Sequence, residues 1–265
     1  MRIGAMTNPH RELLPQIRWI GDRGFDFVDL AVEPPMARWQ DIDVEQVRSA
    51  ADAAGVDLIV HTSPFLPLAS AHLPVREAAA DELRSCIGLA AELGSPLVTL
   101  HYLGAPRFFS RGHIVDAYAR LLDTLVACDL SVRIAIENSP INHGELSLFR
   151  DFFARVPEAG LLLDVGHTHI RSGRSLAADF IDDAVVGKRL VHVHLSDNDG
   201  RDDLHLPLGA VRNGIDWPKV ARRLRRAGYD GTVTLEIFSP DTDYLLTSRD
   251  KWRRFWAEAE SPERG

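Results

Sequence analysis

Short apolar runs alternate with longer amphipathic stretches along the whole chain. The runs, rich in Val, Ile and Leu, lie at Arg2–Met6, Phe25–Ala31, Asp57–His61, Leu97–His101, Val132–Glu137, Gly160–Asp164, Leu190–His194 and Thr232–Glu236. Between them the pattern predicts helices over Glu12–Arg23, Val44–Ala54, Val75–Leu93, His113–Asp129, Leu146–Arg155, Ser175–Val185 and Trp217–Ala227, with a last one at Ser248–Ala259. Gly24, Gly55, Gly94, Gly160 and Gly228 follow helix ends, where a left-handed turn favours a residue without Cβ. Strands apolar along most of their length predict burial on both faces, hence a parallel sheet covered by helices. Eight such βα units in 265 residues predict an α/β fold, a closed (β/α)8 TIM barrel, as a single domain over residues 1–265. A doubly wound open sheet is the alternative.

Composition adds boundaries. The chain is 45% hydrophobic and 26% charged, ordinary for a globular protein with a real core. Its formal net charge of −8 disfavours a general nucleic-acid or membrane-surface binder, though a local cationic site is compatible with it. Cys86 and Cys128 both fall in predicted helices and read as buried free thiols, with no disulfide framework or CxxC zinc pattern. The N-terminus MRIGAMTNPHRELL lacks an apolar leader, and no long apolar run suggests a membrane span. A cytoplasmic enzyme is expected, its oligomeric state open.

The polar residues then change the picture. From the third run onward, the last residues are His61, His101, Glu137, Asp164, His194 and Glu236. His, Asp and Glu are a minority of the chain (11 His, 38 Asp and Glu), so six in six is a signal. Active sites of such barrels lie at the C-terminal ends of the strands. Converging at one rim, the carboxylates among them would repel one another and be costly to bury unless divalent cations compensate them. Asp203 and His205, two apart in DDLHLPLG, follow the seventh strand and belong at the same mouth, as does His167 after Asp164. The nine residues are candidate ligands for two or three metal ions, Zn²⁺ or else Mn²⁺ or Fe²⁺, because imidazole and carboxylate donors are mixed. His192 is expected on the face opposite His194 in a structural role. His10, His72, His113 and His143 are expected to be solvated, and His169 is left undecided.

The ordered pieces are "VHTS" at His61, "LHYLG" at His101, "IEN" at Glu137, "LLLDVGH" from Asp164 to His167, "HVHLSD" around His194, "DDLHLPLG" and "LEIF" at Glu236. Together they resemble the xylose isomerase-like barrel superfamily, and within it the endonuclease IV group. That resemblance implies three zinc ions held by the nine residues, a phosphodiester-hydrolysing activity, and a phosphate-bearing substrate with damaged DNA among the partners. Sugar isomerases and epimerases of the same superfamily resemble a subset, with one metal at Glu137, Asp164, His194 and Glu236. There His167 contacts a substrate oxygen and the two Glu residues move protons.

The main expectation is therefore a multinuclear metal-dependent hydrolase in which Glu137 and Glu236 hold a bridging hydroxide. The alternative is a sugar or sugar-phosphate isomerase or epimerase in which the same two residues exchange a proton. Arg38, Trp39, Phe65 and Arg201 are candidate substrate contacts, with Arg107, Phe108, Phe109, Arg171 and Arg174 as further mouth-loop residues. The substrate-reading loops differ from the nuclease pattern: "LGAVRNG" replaces "LGEG", and Pro64-Phe65-Leu66 stands where nucleases carry Tyr-Leu.

Overall fold

A computed structural model describes residues 1–101, 110–126, 132–140 and 145–259. Eight strands close into one barrel in sequence order: β1 (Arg2–Met6), β2 (Phe27–Val32), β3 (Asp57–Thr62), β4 (Leu97–His101), β5 (Arg133–Glu137), β6 (Gly160–Asp164), β7 (Leu190–Leu195) and β8 (Thr232–Leu235). Every pairing is parallel, and β8 closes on β1 through Ile3 against Val233. Helices α1 (Leu13–Asp22), α2 (Val44–Ala54), α3 (Leu73–Leu93), α4 (Arg111–Val126), α5 (Glu145–Arg155), α6 (Ala177–Asp182), α7 (Trp217–Arg226) and α8 (Asp243–Glu258) follow the strands in turn.

The local chemistry explains the element ends. Asp43 accepts the Gln46 amide at the start of α2, and Asp216 accepts that of Lys219 in α7, both at 3.0 Å. Gly55 and Gly94 close α2 and α3 with φ of 66° and 73°. Gly160 differs from the expectation: it opens β6, and an added Cβ would lie 2.5 Å from Val191. Close packing, rather than a helix cap, requires glycine there. Strand β2 starts two residues later than the pattern suggests, because the Phe25 amide is still bonded to Ile20 at the end of α1. Helix α6 stops at Asp182 because the Asp183 carboxylate takes the amides of Val185 and Val186.

Most of the core lies between the barrel and its helices, with Trp217 and Trp252 among the largest fully buried side chains. A smaller cluster of Phe27, Ile59, Leu97, Ala135 and Leu162 fills the floor inside the barrel. Phe27 occupies the space beside Gly4, where a Cβ would sit 2.3 Å from the ring. Side chains two apart on a strand share a face. His192 accordingly points into the barrel beside His194, and the expected opposite face for His192 is corrected. The register of β6 against β7 skips Val191. Cys86 is buried in α3, and burial pushes its thiol up to about 12. Cys128 and His143, like Arg107, Phe108 and Phe109, lie outside the described residues. No helix among the described residues is long and apolar enough to cross a membrane.

Candidate metal centre

The strand ends deliver their side chains to one place. Glu137, Asp164 and His194 end or nearly end β5, β6 and β7, and Glu236 follows β8 directly. One ligand atom from each of these four buried residues lies within 4.8 Å of the others. His61 forms an overlapping group of the same kind with Glu137 and His194. Asn138 clamps the floor: its side chain accepts the Asp164 amide at 2.7 Å and donates to the Asp164 carbonyl at 2.9 Å.

Around this group the remaining candidates form a ring of short contacts. His61 Nε2 lies 3.2 Å, and His101 Nε2 3.5 Å, from Glu137 Oε2. His167 Nδ1 donates to the Asn138 carbonyl at 2.7 Å, and its Nε2 faces Asp203 Oδ2 at 2.9 Å. His205 Nε2 lies 3.4 Å from the same Asp203 oxygen. The loop carrying Asp203 and His205 is folded back by Asp197, whose backbone pairs with Leu206 in both directions at 2.8 Å. The Asp197 carboxylate also accepts the Gly209 amide at 2.9 Å. His205 sits in the left-handed region with φ 47°, a conformation that costs a non-glycine residue energy and needs this support.

The electrostatics describe an acidic centre short of positive charge. Burial raises Asp164 to about 7, with Glu236, Glu137 and Asp203 adding to the rise and His167 opposing it. Burial also works against Glu137, but His101, His61, His194 and His167 outweigh it and hold that carboxyl well below its usual range. His205 rises to about 9: burial opposes its charge, and Glu236 and Asp203 overcome it. His101 falls to about 4, chiefly through burial. Glu137 Oε1 and Asp164 Oδ2 are buried with no hydrogen-bond partner. His194 stands between two carboxylates, with Nδ1 3.0 Å from Glu236 Oε2 and Nε2 3.1 Å from Asp29 Oδ2. Burial opposes a charge on His194, and Asp29 and Glu236 outweigh it, raising the imidazole well above its ordinary value. Orphaned carboxylate oxygens, with an imidazole drawn toward positive charge between two acids, are what a divalent cation neutralises. The donor set therefore fits a metal ion.

A cavity of about 560 Å³ opens above the group. His61, His101, His167, Asp203, His205 and Glu236 reach it, and so does Phe65 from the loop after β3. Arg38, Trp39 and Arg201 are not among its lining residues: Arg38 and Arg201 are exposed, and Trp39 packs against the core. The sequence did not single out several residues that matter here. Asn8 and Glu33 line the cavity, as does His10, which is exposed there as expected. Asp29 lies beneath His194. An acidic residue in the middle of an apolar strand was the available signal for it.

A closed parallel barrel with a carboxylate and imidazole cluster at its strand C-termini defines a (β/α)8 barrel with a candidate active centre in the usual place. The chain belongs to the xylose isomerase-like TIM barrel family, whose model matches residues 17–255. It is 28% identical over 207 residues to an uncharacterized protein of Methanocaldococcus jannaschii, covering 73% of this chain and 69% of the relative. It is 24% identical over 259 residues to the ketose 3-epimerase of Arthrobacter globiformis, covering 90% and 83%. Its fold matches the crystal structure of a D-tagatose 3-epimerase-like protein with a TM-score of 0.84 and 23% identity, over 98% of both chains.

These matches correct the expected hydrolytic activity. Their functional names are those of sugar epimerases, and the endonuclease IV-like expectation, with its zinc-dependent hydrolysis, is withdrawn. The geometry supplies a physical reason. Among the described residues, His101, His167, Asp203 and His205 join no group of ligand atoms as close as that of Glu137, Asp164, His194 and Glu236.

Proposed function

We propose that this chain is a metal-dependent epimerase of a ketose or related keto-sugar. The observation that carries the proposal is the group of Glu137, Asp164, His194 and Glu236, with ligand atoms within 4.8 Å of one another on the floor of an open cavity. These four residues would hold one divalent cation, and the mixed oxygen and nitrogen donors suit Mn²⁺, Fe²⁺ or Zn²⁺. Such an ion supplies positive charge beside the carbonyl and hydroxyl oxygens of a ketose, which acidifies the carbon between them.

The chain's own groups then do the proton work. Glu137 and Glu236 come from β5 and β8, strands that are not neighbours, so they reach the substrate carbon from different sides. One removes the proton and the other returns it to the opposite face, which inverts the centre. Glu137 Oε1 has no hydrogen-bond partner and lies 3.2 Å from His167 Nδ1, and Glu236 Oε1 lies 3.7 Å from His205 Nδ1. Glu137 is held through Oε2 by His61, and Glu236 through Oε2 by His194. His167, fixed through Nδ1 to the Asn138 carbonyl, presents Nε2 to the cavity beside Asp203 and is placed to hold a substrate oxygen. Phe65 offers an apolar surface at the rim, 79% exposed.

The decisive experiment incubates the Mn²⁺-loaded protein with a panel of ketohexoses and ketopentoses in D₂O. Epimerisation at the carbon beside the carbonyl, with deuterium entering at that carbon, is expected. Metal-loaded protein that exchanges no carbon-bound hydrogen on any member of the panel overturns the reading.

A further inference from the structure

A second polar layer lies in the barrel directly below the proposed metal centre. Asp29 of β2 is wholly buried there, and its Oδ2 meets three donors. These are the Thr234 hydroxyl at 2.8 Å, His194 Nε2 at 3.1 Å and His192 Nε2 at 3.2 Å. Thr232 Oγ1 lies 2.7 Å from His192 Nδ1, and Thr234 Oγ1 lies 3.0 Å from His192 Nε2.

One assignment of hydrogens satisfies all of these contacts with both imidazoles neutral. The Thr232 hydroxyl donates to His192 Nδ1. His192 Nε2–H is shared between Thr234 Oγ1 and Asp29 Oδ2. The Thr234 hydroxyl and His194 Nε2–H both donate to Asp29 Oδ2. What remains is the negative charge of Asp29, in a dry interior where its ion-pair partners among the described residues are the two histidines. The same three side chains lie close enough to hold an ion themselves. Asp29 Oδ2 takes all three donors while its Oδ1 is buried without a hydrogen-bond partner, so what the described contacts show is hydrogen bonding at Oδ2.

The assignment has a consequence for the ring above. With its proton on Nε2, His194 turns the Nδ1 lone pair toward Glu236 Oε2, 3.0 Å away. A lone pair facing a carboxylate is stable when a cation stands beside both. We infer that Asp29 is a positioning residue for the metal centre: it holds His194 in the Nε2–H tautomer with Nδ1 aimed at the ion, and lends that nitrogen added basicity. Carboxylate partners of metal-bound histidines act in this way generally. The inference rests on the proposed metal-binding role of Glu137, Asp164, His194 and Glu236. Thr234 and His192 support it from below by fixing the Asp29 carboxylate.

The test is Mn²⁺ affinity, measured by calorimetry on metal-free protein, for wild type and Asp29→Asn. The substitution keeps the size of the side chain, removes its charge and offers an amide that can donate to His194 Nε2, favouring the opposite tautomer. A 10- to 100-fold loss of affinity is expected, with an unchanged circular dichroism spectrum. A second measurement needs no variant: ¹⁵N spectra of the histidine rings in the Zn²⁺-loaded wild type should show His194 protonated at Nε2 and metal-shifted at Nδ1. A folded Asp29→Asn protein that binds Mn²⁺ within twofold of wild type overturns the role of Asp29, as does a proton found on Nδ1. Wild-type protein that takes up no divalent cation overturns the metal centre itself, and this role with it.

Discussion

Two layers of the same barrel, one pleat apart, are built on opposite principles. The floor is Phe27, Ile59, Leu97, Ala135 and Leu162. The mouth holds His61, Glu137, Asp164, His194 and Glu236. Three strands supply both layers at positions two apart: Ile59 and His61 on β3, Ala135 and Glu137 on β5, Leu162 and Asp164 on β6. The floor gains free energy by leaving water and meets its neighbours' surfaces completely. The mouth gathers carboxylates that oppose one another's ionisation and leaves Glu137 Oε1 and Asp164 Oδ2 without partners. The difference teaches that the fold is secured at one end of each strand and the chemistry is carried at the other. A charge-rich site of this kind is tolerable because the layer beneath it is apolar on β3, β5 and β6, while on β2, β7 and β8 Asp29, His192 and Thr234 satisfy one another there.

The strongest challenge to that division is Glu236→Gln. Turnover of a keto-sugar should fall at least ~10³-fold, about 4 kcal/mol of barrier, with no loss of thermal stability. Equal loss of stability and activity would show that the mouth also holds the fold. Phe27→Ala is the mirror test. Denaturant unfolding should report about 3–5 kcal/mol lost, while Mn²⁺ affinity of the folded protein stays near wild type. Adding Mn²⁺ at about 100 times its dissociation constant should stabilise the wild type by ~2.7 kcal/mol in thermal unfolding, and a chelator should reverse it.

The pH dependence sharpens the contrast further. Burial raises Asp164 to about 7 from an ordinary carboxylate value, so the folded protein holds that proton longer than the unfolded chain. Its contribution to stability is complete below the ordinary range and is lost as pH rises to about 7, by up to ~1.4 kcal/mol per unit. Metal-free protein should lose stability across that window, and Asp164→Asn should flatten the curve. Metal affinity should move the other way over the same window, because the ion needs the deprotonated carboxylate. The smallest effect belongs to Phe65→Ala. At 79% exposure its stability should change by less than about 0.5 kcal/mol, with the response confined to a few-fold rise in KM.

Much of the architecture was legible along the chain because barrel strands are buried on both faces and read as short apolar runs. The eight runs map onto eight strands, with ends displaced by a residue or two where a helix cap or turn holds the backbone, as at Phe25. The convergence of the strand-end residues was legible for the same reason: in a parallel barrel all strand ends face one rim. The face of His192 was misjudged, although positions two apart always agree. An acid inside an apolar strand marks Asp29 as unusual, but its role is not legible there because its histidine partners lie more than 160 residues away. The choice between hydrolysis and epimerisation was misjudged as well. Ordered motifs record which donors are present and leave unstated which ones come within reach of the same ion.

The sequence alone determined the barrel, its order of strands and the rim on which the polar residues meet, because those depend on hydrophobic period and turn chemistry within each βα unit. Tertiary structure alone decided that Glu137, Asp164, His194 and Glu236 close into one group, that Asp203 turns back to His167, and that Asp29 stands under His194. Those are distances between side chains on different strands. They are set by barrel closure, register and the fold of the loop around Asp197, which no single stretch of chain encodes.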